Sequence, residues 1–463
     1  MRRNQLLSIA FIFLSVTALA NNIQLANILV NGQNTTTQSS LINFDVSWDN
    51  SWRTITNEAN YDGAWIFVKF RKKTSNTWQH ATISSTGATM PANSTIQTSL
   101  DGKGVWIYRA LPASDFTGNV NYTGAKIQWN YGVDGVLNTD SVEIRVFALE
   151  MVYVTAGTFK LGSGGTETAH FSEGGSNNPY NVNSESAITV ANTATNLYYA
   201  PGGFSGDGGS PIPAGFPKGF NAFWLMKYES SQQQYVDFLN NIDIAKANNR
   251  YAGIYTGTHP NLVAPVPEHA ANNMNVPDVL AFADWAGMRP FSELEYEKAT
   301  RGFNQLPTAN EYAWGNTTIV ATNALTNPGL VNEMASNGNA NYGGNIGTPF
   351  RTGIYATATS NRQQSGGSYY GIMEMSGNVI ELTISVGSPG GRAFTRTHGD
   401  GYLTATGDYN VATWPGNEIF AFMLRGGGSN DSPAILTISD RSGNSTYSNR
   451  QGMLGIRLAR TGE

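Results

Sequence analysis

GIMEMSGNVIEL, the segment Gly371–Leu382, changes character three times within twelve residues. An apolar lead-in is followed by Ser-Gly-Asn at 376–378, and a second apolar run then begins. Gly377 permits a positive φ, and Asn378 tolerates the left-handed region better than most residues do. The segment therefore predicts a tight turn between two buried stretches, which aims several backbone carbonyls at one point.

Two acidic residues, Glu374 and Glu381, flank this turn seven residues apart. Calcium prefers a mixture of carboxylate and carbonyl oxygens on a sharply bent loop. One interpretation is therefore a calcium site. The other is a buried strand–turn–strand whose glutamates face water or pair with arginines, and the spacing alone leaves both open.

The composition is that of a large folded chain. Its 463 residues are enough for two or three domains and a sizeable core. Charged residues make up only 13%, Gly accounts for 51 positions and 40% of the residues are hydrophobic, which indicates a folded protein with many loops and turns. The net charge of −5 and the short basic cluster Arg71–Lys73 argue against nucleic-acid binding.

The first twenty residues have the parts of a secretory signal peptide. Arg2 and Arg3 precede an apolar run at 6–19, which closes on Ala-Leu-Ala at 18–20. We expect cleavage near Ala20 and an exported product, whether periplasmic, outer-surface or secreted. The run is too short for a membrane span, and no later stretch supplies one. The chain has no cysteine, which excludes disulfides, thiolate metal sites and cysteine nucleophiles.

Residues 21–149 read as an all-β domain. Apolar and polar residues alternate over 42–48, as in a half-buried strand, and 65–70 reads as a more buried strand. Two further runs follow at 105–108 and 142–147, separated by polar turns. This pattern predicts a β-sandwich domain without an acid, base or nucleophile constellation.

Residues 150–463 predict an α+β arrangement. A pair of short strands is indicated at 151–162. Capping-box patterns at 231–234 and 292–295, and a Pro-Asp start at 277–278, predict three short helices. These helices lie within a Gly-rich framework of turns and short strands.

Seven blocks stand out in order between about residues 150 and 461: MVYVTAGTFKLGS, FWLMKYESSQQQYVDFL, DWAGMRPFSELEYEKATRG, EYAWGN, GIMEMSGNVIEL, LRGGGS and LGIRLAR. Taken together, they resemble the formylglycine-generating enzyme (sulfatase-modifying factor) family. The resemblance implies a variant of the C-type lectin fold with little regular secondary structure. Known members oxidise a sulfatase cysteine with a copper-binding cysteine pair, others are iron-dependent sulfoxide synthases, and many bacterial members are exported proteins.

The resemblance also implies metal ligands. The family's better-defined calcium site would use the side chains of Glu374 and Glu381 and the backbone carbonyls of Gly377 and Val379. A second site would use Asn341 and the carbonyl of Tyr342, but the loop at 343–347 lacks its acidic partner. We therefore expect structural calcium at the first position.

The catalytic residues of the family are missing. Its two cysteines would fall near Asp431 and Leu436, and neither residue supplies a thiolate. Copper(I) chemistry of this type requires soft sulfur ligands, so we expect neither copper nor formylglycine generation. The iron branch needs grouped histidines, whereas the five histidines here form no close-spaced pair: His80, His170, His259, His269 and His398.

These observations predict an exported, non-catalytic binding or scaffold protein on a calcium-stabilised fold. A protein, peptide or glycan ligand would bind the surface of the C-terminal domain, with Asp431, Arg425 and Trp414 as candidate contacts. The aromatics of the Gly-rich loop 386–420 suit sugar or peptide recognition, or else form a small core of their own. Two alternatives stay open: a metal-dependent oxidase or maturation enzyme with non-cysteine ligands, and a structural component of an envelope, gliding or secretion complex.

Overall fold

A computed structural model describes residues 23–57, 59–357, 359–445 and 447–462. The predicted signal peptide at 1–20 lies outside the described residues. Within these ranges, each helix is too short or too polar to cross a bilayer.

The described residues form twenty-three strands, numbered β1 to β23 in chain order. They are Gln24–Asn34, Ser39–Arg53, Tyr61–Lys72, Gln79–His80, Ile83–Thr89, Ser94–Thr98, Val105–Arg109, Phe116–Trp129, Val142–Val154, Phe159–Leu161, Ser172–Glu173, Tyr180–Val182, Leu197–Tyr198, Phe223–Met226, Thr256–Thr258, Asn261–Val263, Phe291–Ser292, Leu325–Thr326, Met334–Ala335, Glu381–Ile384, Phe422–Arg425, Gly443–Asn444 and Ala459–Thr461. Five helices, α1 to α5, are Gln232–Asn240, Ile244–Arg250, Val276–Trp285, Glu293–Arg301 and Pro389–Arg392.

One eleven-stranded sheet dominates the fold, with the order β23-β14-β9-β3-β2-β8-β5 and four further strands paired to its members. Strand β9 pairs with β3 along twelve residue pairs and, at its end, with β14 of the C-terminal region. The predicted boundary at 149/150 therefore falls inside β9. Strands β2 and β3 pair only at Arg53 and Tyr61. The sheet therefore curls, and residues from the strands on both sides of this junction line one hydrophobic core.

A separate N-terminal β-sandwich is not confirmed, because strands from both parts of the chain are hydrogen-bonded into this one curled sheet. The coarser prediction holds: the protein is mostly β with a few short helices. The individual strands predicted at 42–48, 65–70, 105–108 and 142–147 are all present.

The strand pair predicted at 151–162 is wrong in its pairing. Strand β9 ends at Val154, and β10 pairs with β12 instead. The reason is that β3 and β14 already occupy both edges of β9 at its end, so the chain beyond it has no edge to return to.

The three predicted helices are confirmed, and two of them start at the predicted caps. Ser231 and Gln234 form a reciprocal capping box at α1, and Ser292 and Glu295 form another at α4. Helix α3 begins one residue before its Pro-Asp pair, because Asn275 is the residue that caps it. All ten residues of α3 are buried, so this helix forms the centre of the C-terminal core.

Candidate functional site

The turn at 376–378 has the backbone that its sequence predicts. Gly377 has φ +98° and Asn378 has φ +69°. The Asn378 side chain holds the turn in place: its Oδ1 accepts from Asn341 Nδ2 at 3.0 Å and from the Phe350 amide at 2.7 Å, and its Nδ2 donates to Glu229. The second buried stretch then continues into β20.

Three buried carboxyl groups surround this turn. Glu374 Oε1 accepts from the Gly353 amide at 3.0 Å, and Glu381 Oε1 accepts from Arg457 Nε at 3.2 Å. Glu229, which the sequence analysis did not single out, accepts from the Val379 amide at 3.0 Å. Arg457 is thus a partner of Glu381, as the second interpretation of the sequence foresaw.

Burial shifts all three groups toward the protonated form. It raises the pKa of Glu374 to about 7 and the pKa of Glu381 to about 8, although Arg457 opposes both shifts. Burial and the nearby charge of Glu374 also raise the pKa of Glu229 well above its ordinary value. The surroundings of the turn would therefore gain from an additional positive charge.

The donor set at the turn fits a hard cation. Glu374 Oε2 and Glu381 Oε2 are buried and have no hydrogen-bond partner among the described residues. At Gly426, whose φ is +77°, an added Cβ would lie 2.3 Å from Glu381 Oε2, so glycine keeps space beside this free oxygen. Within the described ranges, three or more His, Asp or Glu side chains nowhere form a metal-binding group, so an ion here would also need backbone carbonyls.

The residues of the second predicted calcium site support the turn instead. Asn341 Nδ2 donates to the Thr348 carbonyl at 2.9 Å and to Asn378, and its carbonyl accepts from the Asn378 amide at 2.9 Å. Tyr342 packs against the core beside the turn. These contacts give Asn341 a structural role that needs no ion.

The two positions near which the family's cysteines would fall, Asp431 and Leu436, have different surroundings. Leu436 is fully buried in the core beside the turn. Asp431 is half-buried, and its Oδ2 accepts from the Gly428 amide at 2.8 Å, which closes a local turn. The exposed residues 432–434 separate the two positions.

Two of the three candidate ligand contacts lie in the interior. Arg425 is buried between Glu293 and Glu297, with nitrogen–oxygen distances of 3.3 and 2.9 Å. Trp414 is 4% exposed and donates to the Thr397 carbonyl at 2.9 Å. Neither side chain can reach a surface ligand, so of the three only Asp431 retains access to solvent.

The aromatic residues of loop 386–420 mostly pack into the main core of the C-terminal region. Phe394 is fully buried, and the rings of Tyr409 and Trp414 lie 5.7 Å apart. Tyr402 is 39% exposed and is the most accessible of the four. These aromatics are therefore core residues, but they join the main core and do not form a small core of their own.

The acidic residues of α4 have two different roles. Glu295 completes the capping box and pairs with Arg289 at 2.7 Å, as capping predicts. Glu293 and Glu297 instead belong to a buried ion network with Arg301 of the same helix and with Arg425 and Arg441 from distant parts of the chain.

The histidines do not converge on one place. Each has a separate local partner: His80 Nε2 with the Lys103 carbonyl, His170 Nδ1 with the Glu167 carbonyl, His259 Nε2 with the Leu239 carbonyl, His269 Nε2 with Glu333, and His398 Nε2 with the Thr461 amide.

A cleft of about 340 Å³ lies where residues 50–60 meet residues 356–373. Trp52 Nε1 donates to Asn60 Oδ1 at 2.9 Å, and Asn60 Nδ2 donates to the Tyr370 carbonyl at 3.0 Å. These two bonds fix one wall of the cleft to the other. Sequence reasoning missed it because its walls come from regions about 300 residues apart, and no local pattern connects them.

Comparison with known proteins gives a family match and similar chains among the solved structures. Residues 138–462 match the family described as the sulfatase-modifying factor enzyme 1-like domain. Curated proteins give no match. Among solved structures, Treponema denticola variable protein 1 is similar at 15% identity and a TM-score of 0.34, over 68% of this chain and 96% of that chain. Because the family match covers well over half of a cysteine-free chain, this protein belongs to the sulfatase-modifying factor enzyme 1-like family and lacks the cysteines of its oxidase members.

Proposed function

We propose that this protein is an exported, non-catalytic member of its family that binds a glycan in the cleft between residues 50–60 and 356–373. The family's oxidase chemistry needs two thiolates, and this chain has none. One of the two corresponding positions is Leu436, a fully buried core residue. The proposal retains the C-type-lectin-like scaffold that the family resemblance implies.

The cleft carries this proposal. Its walls combine aromatic rings with small hydroxyl-bearing side chains: Trp52, Tyr228 and Tyr369, and Thr357, Ser360 and Ser368. Aromatic faces give apolar contact area to the C–H faces of sugars, while hydroxyl groups exchange hydrogen bonds with sugar hydroxyls. A volume of about 340 Å³ is within the range of small-ligand sites.

The position of the cleft also supports ligand binding. Trp52 and Tyr369 are only half-buried, so part of each ring remains accessible. The Trp52–Asn60–Tyr370 hydrogen bonds hold the two walls before any ligand arrives, which lowers the entropy lost on binding.

Titration of a panel of oligosaccharides into the purified protein tests the proposal. We expect at least one to bind, and we expect Tyr369→Ala to weaken that binding tenfold or more. The matched control is Tyr402→Ala, which removes an exposed ring outside the cleft and should leave affinity unchanged. Binding that survives Tyr369→Ala, a panel without any binder, or copper- or iron-dependent oxygen turnover by the purified protein would each contradict the proposal.

Calcium at the turn is the second part of the proposed function. Glu374 and Glu381 would supply carboxylate oxygens, and Gly377 and Val379 would supply carbonyl oxygens, as the family resemblance implies. When bound, the ion would neutralise buried negative charge. The protein's own residues already fix the turn through Asn378, so calcium acts here as a stabiliser of a preformed loop.

A further inference from the structure

Three ionisable side chains from neighbouring strands meet below the cleft. Asp62 lies on β3, Glu150 on β9, and Lys227 directly follows β14. Lys227 Nζ lies 3.1 Å from Asp62 Oδ2 and 3.1 Å from Glu150 Oε2, and all three side chains are at most 1% exposed. They form a buried group of one amine and two carboxyls, in which Lys227 Nζ also donates to the Asn50 carbonyl at 3.2 Å.

The strand pairing places these groups. Ala64 is opposite Glu150 and Asp62 is opposite Val152, so the two acids are diagonal neighbours on one face of the sheet. The Lys227 amide donates to the Glu150 carbonyl at 3.0 Å, which fixes where the lysine side chain begins. The contact between Lys227 and Asp62 is therefore determined by the sheet itself.

The charges of this group do not balance when all three members are ionised. Burial tends to lower the pKa of Lys227, but Tyr228, Glu150 and Asp62 together hold it above its ordinary value, so the amine starts as an ammonium. Burial raises the pKa of Glu150 to about 8, although Lys227 opposes the shift. Glu150 thus carries a proton at neutral pH, and its Oε1 has no hydrogen-bond partner among the described residues.

The Asp62 carboxyl is held by donors on both oxygens. Ser51 Oγ donates to Oδ1 at 2.6 Å and the Trp52 amide donates to the same oxygen at 3.2 Å, while Trp48 Nε1 donates to Oδ2 at 3.0 Å. Fixed donors of this kind stabilise negative charge that develops on a carboxyl oxygen when a nucleophile adds to its carbon.

Aromatic rings shield the amine. The rings of Trp52 and Tyr228 lie 4.9 and 5.4 Å from Lys227 Nζ. Both residues also line the cleft, which gives a small leaving molecule a short path to solvent. A dry pocket favours condensation of an amine with a carboxyl group because it removes the competing water.

We propose that Lys227 and Asp62 condense into an intramolecular isopeptide bond, with Glu150 as the catalytic proton carrier. Glu150 first moves a proton from the Lys227 ammonium to the Asp62 carboxylate. The Nζ lone pair then attacks Asp62 Cγ, and the C–N bond forms. Glu150 takes the second proton from nitrogen and delivers one to the departing hydroxyl, the C–O bond breaks, and one water leaves. Ammonium and carboxylate thus become amide and water, and no oxidant is consumed.

The bond would give this cysteine-free chain a covalent cross-link between β3 and the end of β14, which are 165 residues apart. Such a link restricts the unfolded chain as a disulfide does, and it does not depend on the redox state of the compartment.

Intact mass of the purified full chain under denaturing conditions tests the bond. We expect a mass lower by one water than the sequence requires, and a branched proteolytic peptide that joins the segments containing Asp62 and Lys227. In Lys227→Arg and in Glu150→Gln the full mass should return. Glu150→Gln is close in shape, so it should retain the fold, as circular dichroism would verify.

A second source of water loss must be separated from the first. Asp62 precedes Gly63, and an Asp-Gly pair can lose water by closing on its own backbone. That product contains no branched peptide and persists in Lys227→Arg. If the wild-type chain has its full mass, the proposal is wrong and the three side chains form an ion group only. The proposal is also wrong if Lys227→Arg still shows the loss of one water.

Discussion

Arg441 and Glu293 form a two-point ion pair in the protein interior. Arg441 Nε donates to Oε2 at 2.6 Å and Nη2 donates to Oε1 at 2.9 Å, and neither side chain is exposed. The guanidinium also lies 4.0 Å from the ring of Phe171. The ion pair connects the first turn of α4 to the C-terminal segment. The ring contact connects the same arginine to the segment between β10 and β11.

Arg441→Ala should destabilise the protein strongly. It leaves the Glu293 carboxylate buried with Arg425 as its remaining cation at 3.3 Å. Removing one partner of a buried pair costs about 3–5 kcal/mol, which urea denaturation would measure. Arg71→Ala is the control, because its pair with Glu143 is partly exposed and should cost less than about 1 kcal/mol. Equal losses for the two variants would contradict this account.

Calcium removal should lower the melting temperature. An ion that binds only the folded state stabilises it by about 2.7 kcal/mol at a concentration about 100-fold above Kd. Glu381→Ala should abolish the difference between calcium and excess chelator, whereas Glu143→Ala, at a partly exposed position on β9, should preserve it. If the melting temperature is identical in calcium and in chelator, the turn at 376–378 binds no stabilising calcium and is an ordinary turn.

Asn378→Ala should destabilise the turn through two separable effects. It leaves the Phe350 amide without its acceptor, at about 1–3 kcal/mol for a buried group left unsatisfied, and it removes one of the two hydrogen bonds that Asn341 Nδ2 donates. It also places alanine at φ +69°. Asn378→Gly loses the same bonds but accepts this φ, so it should be about 1–2 kcal/mol more stable than Asn378→Ala. Chemical denaturation compares them, and equal stabilities would show that the backbone conformation carries no strain.

The parts of this structure that the sequence predicts are local. A capping box joins residues three apart, and a Gly-Asn turn depends on its own φ values, so both can be read from a short segment. Helices α1 and α4 and the turn at 376–378 were predictable for this reason.

The parts that the sequence does not predict depend on distant partners. Arg425 is the last residue of β21 and was predicted as a ligand contact, but its acids lie 128 and 132 residues away on α4. Strand β9 reads as the end of one domain, yet its last residues pair with β14. Strand pairing and ion pairing across such separations leave no periodic signal, which is why the domain border, the cleft and the Lys227 group appear only in three dimensions.

Asp237→Asn should change how stability depends on pH. Asp237 is buried on α1, where its Oδ1 accepts from Gln233 Nε2 at 2.9 Å. Burial raises its pKa from 3.8 to about 7, although the Gln233 bond and the charge of Arg145 oppose the shift. Between these two values the folded state holds a proton that the unfolded state has released, so this group's contribution to stability falls as pH rises through the window.

Asparagine at 237 retains the acceptor and does not titrate. The melting temperature of Asp237→Asn relative to wild type should therefore increase steadily from about pH 4 to about pH 7 and then level off. The comparison with wild type cancels every other titrating group. A difference for Asp237→Asn that is constant, or that shrinks as pH rises, would show that Asp237 is ionised in the folded protein throughout this range.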